Sequence, residues 1–117
     1  MSDWDRHVFD DDANVEFLDE MSSLDDEDIV EAVADACFLA TRQDHVSDEE
    51  QANALCAATI AAIWAGAPYS AGEVIDEYPF IKDLTGSGSE ELREAAATLL
   101  EEVEDDEDVE VYLEALA

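Results

Sequence analysis

Positive charge is what this sequence lacks most. Arg6, Arg42, Lys82 and Arg93 stand against 34 acidic residues, for a net charge of −30. A surface so negative repels phosphates, which argues against direct binding to nucleic acid or to an anionic membrane. Cysteine is scarce too. Cys37 and Cys56 form no CxxC or other ligand spacing, so the plainer expectation is two small buried residues, with an inter-helix disulfide as the alternative. Long apolar runs are missing. The alanine-rich stretch from 52 to 67 is interrupted by Gly66 and followed by Pro68, short of the roughly 18 apolar residues that a membrane span needs. Asp3 and Asp5 sit where a signal peptide would carry basic residues. The expectation is a soluble, cytoplasmic protein.

What is present fits one modest domain spanning 1–117. The hydrophobic share is 48%, more than a disordered acidic chain would carry. A folded chain of this mass should expose roughly 6,300 Å², or about one net charge per 200 Å². The mean spacing is then roughly 14 Å against a screening length of about 8 Å in physiological salt, so the repulsion is tolerable in salt and worse without it. Three explanations fit such a charge: solubility, including adaptation to a salty cytoplasm; attraction of a basic protein; and, as a special case, mimicry of nucleic acid. Mimicry would need acids gathered on one face, because B-DNA is roughly twice as dense in charge.

The pattern along the chain is helical. Residues 1–9 read as a short, extended lead anchored by Trp4, Val8 and Phe9. A first helix is expected from Asp12 to Met21, with Val15, Phe17, Leu18 and Met21 inward and the preceding acids at its positive end. A second runs from Asp25 to Arg42, where Ile29, Val30, Val33, Cys37 and Ala40 recur at steps of three and four, and Phe38 and Leu39 widen that face. Ser47 and Glu50 form a capping box for a third helix. From residue 52 this helix is apolar nearly all round, so it should be central, and Gly66 and Pro68 end it. Residues 69–89 carry a weaker pattern, with one possible helical turn at 73–78 before Pro79. Glu90 to Glu104 reads as another helix, capped by Ser87 or Ser89, with Leu92, Ala95, Ala96, Leu99, Leu100 and Val103 inward. A last helix, 107–116, offers Val109, Tyr112, Leu113 and Leu116. The expected fold is therefore all-α: a compact bundle of about four to five helices around a central Ala-rich helix. Trp64, Tyr69 and Phe80 suit either the core or a subunit interface.

No complete catalytic motif is present. A calcium loop starting at Asp10 would need Gly at its sixth position and Glu at its twelfth, where Val15 and Met21 stand. His7 and His45 lack a zinc-ligand spacing. Gly86-Ser87-Gly88-Ser89 has no P-loop lysine. Cys37 and Cys56 lie on apolar helix faces, where a thiolate nucleophile is disfavoured.

The opening nevertheless carries a pattern, W-x-x-x-x-F-D-x-D, with an aromatic five residues on. Through Trp4, Phe9, Asp10, Asp12 and Phe17 it resembles a small bacterial family known as domain of unknown function 4259. The helix layout is also similar to that family's. Asp5, His7, Asp11 and Glu16 depart from the family pattern at two glycines, an asparagine and an aspartate. The resemblance implies no activity, and the motif reads as structural, with Asp10 to Asp12 capping the first helix.

These readings lead to a non-enzymatic protein-binding module, of inhibitor, immunity or nucleic-acid-mimic type, with a basic protein as the possible partner. The candidate acidic surface is Asp25, Asp26, Glu27 and Asp28 together with Glu104, Asp105, Asp106, Glu107 and Asp108. No catalytic, cofactor-binding or metal residue is assigned. The rival expectation is a metal-dependent or hydrolytic enzyme using carboxylates with His7 or His45.

Overall fold

The computed structural model describes residues 8–9, 11–42, 47–67, 72–87, 89–101 and 106–116, and at 72–74, 106–109 and 111 the backbone alone. Among these residues every regular element is helical, as the sequence pattern requires. The helices are α1 (Asp12–Ser22), α2 (Asp26–Arg42), α3 (Asp48–Trp64), α4 (Gly72–Glu77), α5 (Phe80–Asp83), α6 (Glu90–Glu101) and α7 (Asp106–Leu116). The five longer helices are those expected from periodicity. The two short ones occupy the weakly patterned stretch, where Pro79 divides them.

The helix starts follow from local chemistry. Ser47 accepts from the Glu50 N–H at 3.1 Å, and Glu50 reaches back to the Ser47 N–H at 3.3 Å, so the capping box is complete. Ser89, not Ser87, accepts from the Leu92 N–H at 3.2 Å. Asp11 is the N-cap of α1, accepting from the Ala13 N–H at 3.0 Å. Such bonds satisfy amide donors that a helix cannot pair internally.

The end of α3 is equally specific. Gly66 has φ +113°, a conformation that side-chain-bearing residues rarely adopt. It allows the Gly66 N–H to donate to the Ile63 carbonyl and the Ala67 N–H to the Ala62 carbonyl, both at 3.0 Å. This is the Schellman pattern for closing a helix. A second glycine, Gly86 at φ +93°, donates its N–H to the Trp64 carbonyl at 2.8 Å, which pins the turn after α5 to the end of α3.

Packing centres on α3. It touches α1, α2, α5, α6 and α7, and Ala54 together with every residue from Cys56 to Trp64 is buried. A helix with alanine on several sides can accept neighbours all round, because short side chains let axes approach closely. The surrounding helices contribute one stripe each: Leu18 and Met21 from α1; Ile29, Val33 and Cys37 from α2; Leu92, Ala95, Ala96, Leu99 and Leu100 from α6; Tyr112 and Leu116 from α7. Trp64 and Phe80 belong to this core.

Three expectations need correction. Val8 and Phe9 are helical, not extended, although both are buried as anchors. Val15 is 36% exposed, because the inward stripe of α1 is Asn14, Leu18 and Met21 at steps of four and three, and Val15 falls at its edge. Leu39 is 39% exposed. At 3.6 residues per turn it lies about 200° round the helix from the buried Cys37. Trp4, His7, Asp10, His45, Tyr69 and Val103 lie outside the described residues, and so does the side chain of Val109.

Candidate acidic interaction surface

The acids gather at helix starts. Asp12 stands in the first turn of α1; Asp26, Glu27 and Asp28 in that of α2; Asp48, Glu49 and Glu50 in that of α3; Glu90 and Glu91 in that of α6. The helix dipole explains the placement, since its N-terminal end favours negative charge by a few tenths to about 1 kcal/mol per residue. Folding then decides which of these starts become neighbours.

Two of them meet. The beginnings of α1 and α3 border an open cleft of about 370 Å³ lined by Asp11, Asp12, Ala13, Glu16, Asp48, Glu49 and Ala52. All five carboxylates there are exposed, while the two alanines are half-buried. The cleft therefore offers a negative rim over a small apolar floor. The capping box and the Asp10–Asp12 cluster were each legible as helix starts, but no local signal says that they lie side by side.

The expected acidic surface is only partly traceable. Asp25, Asp26, Glu27 and Asp28 are all exposed at the start of α2. Asp106, Glu107 and Asp108 form the first turn of α7. Glu104 and Asp105 lie outside the described residues. Of the N-terminal motif, Phe9 is buried, Phe17 packs against the core from its edge, and Asp12 is exposed in the first turn of α1; Trp4 and Asp10 lie outside.

Little of this charge is neutralised from within. Among the described residues no ion pair joins Arg42, Lys82 or Arg93 to a carboxylate. Arg42 instead lies over the Phe38 ring, 4.9 Å from its centre, a cation–π contact at the end of α2. No three His, Cys, Asp or Glu side chains among the described residues are arranged to hold a metal ion.

In the core the thiols are inert. Cys37 and Cys56 are both buried and unpaired by any disulfide. Burial pushes the Cys37 thiol up to about 12. Cys56 is pushed up by burial first, and further by the charges of Cys37 and Asp11. Thiols held in this way stay protonated and make poor nucleophiles.

Sequence periodicity missed Asn14. It is only 2% exposed, and its Nδ2 donates to the Val8 carbonyl at 2.8 Å. That bond fastens the residues before the Asp11 cap onto α1. Among the described residues its buried Oδ1 accepts no hydrogen bond, nor does the buried Asn53 Oδ1, and the buried Trp64 Nε1 has no acceptor.

Residues 2–115 match the family model described as Domain of unknown function (DUF4259). No curated protein and no solved structure matches the chain significantly.

Proposed function

We propose that this chain, which belongs to the DUF4259 family, is a non-enzymatic helical module that binds a basic protein through its acidic surface. The observation that carries the reading is the set of exposed carboxylates at the starts of α1, α2 and α3, with no described arginine or lysine paired to them. Exposed carboxylates can meet the lysines and arginines of a partner. They also speed encounter, because a concentrated field of one sign steers an oppositely charged protein over distances near the screening length. The cleft between α1 and α3 adds shape to charge: its alanines can pack the aliphatic stem of a lysine or arginine while the rim holds the charged end.

The two buried thiols argue against cysteine-based catalysis. Both thiols are held protonated.

Charge neutralisation tests the proposal. The variant Asp11→Asn, Asp12→Asn, Asp48→Asn, Glu49→Gln keeps side-chain shape at the cleft, and asparagine still serves as an N-cap at residue 11. In a capture from native host extract at low salt it should retain a basic partner at least ten-fold less well than the unmodified protein, with unchanged helical circular dichroism. Equal retention by both proteins would place the binding surface elsewhere.

A further inference from the structure

We draw no further inference here: the strongest candidate, the open cleft between the starts of α1 and α3, belongs to the surface already described and rests on carboxylates at two helix starts, with no second feature that points to a particular ligand.

Discussion

Tyr78 donates its hydroxyl hydrogen to Asp19 Oδ1 at 2.5 Å, across 59 residues of sequence. The bond ties the bend between α4 and α5 to the outer face of α1. Around it the tyrosine ring is buried and meets Phe80 edge-on, with centroids 6.2 Å apart at 61°. The phenol is pushed up to about 12, first by its hydrogen bond to Asp19, then by burial, and then by the charges of Asp19 and Glu77.

That relationship predicts an alkaline limb of stability. Unfolded tyrosine ionises near about 10 and cysteine near about 8.5, and Tyr78, Cys37 and Cys56 all ionise higher in the folded protein. Folding therefore favours their protonated forms. Their contribution is complete below about pH 8.5 and is lost progressively as pH climbs towards 12. Urea unfolding from pH 7 to 11 should show a plateau and then a decline. Tyr78→Phe should lose about 1 kcal/mol at pH 7 and should decline less steeply than the parent above pH 10 (roughly the unfolded phenol value). Parallel curves for the two proteins would contradict the assignment.

Asn14→Ala should cost about 1–3 kcal/mol, because the Val8 carbonyl loses its buried 2.8 Å bond and keeps only the 3.4 Å bond from the Asp11 N–H. The loss should be local at first. Hydrogen exchange should accelerate in the first turn of α1 before it changes in α3. A cost near zero would mean that the Asp11 N–H suffices for the Val8 carbonyl.

Gly66→Ala tests the end of α3. An added Cβ meets nothing within 4 Å, so any penalty comes from the backbone angle and not from a clash. About 1–2 kcal/mol is expected from forcing a side-chain-bearing residue into positive φ, with a matching fall in melting temperature. A neutral outcome would show that the turn can relax without the two closing bonds.

The parts of the fold that were legible in the sequence are those whose causes are local. The capping box at Ser47 and Glu50, the stop at Gly66, and the stripe of Ile29, Val33 and Cys37 each depend on neighbours within about a turn, so residue type and spacing suffice. The centrality of α3 was legible for a related reason: a helix with no polar face beyond its first turn has nowhere to go but inside. What escaped was non-local. Val15 and Leu39 are apolar yet exposed because the stripes of α1 and α2 are narrow, and stripe width is set by which helices pack where. Asn14 is buried on the inward stripe of α1, where its amide donates to a carbonyl six residues earlier, a contact that periodicity does not reveal. The cleft depends on the juxtaposition of two helix starts separated by more than thirty residues, which spacing alone does not encode. Composition gave the charge but not its distribution.

Salt provides the most direct test of the proposal that the acidic surface is a binding surface. The protein should be used as bait in native host extract at about 0.05 M and about 0.5 M NaCl, between which the screening length shrinks from more than a nanometre to a few ångströms. The account predicts a basic protein retained at stoichiometric level in low salt and released in high salt. Retention of no protein at either salt, or of a partner whose binding is indifferent to salt, would contradict it.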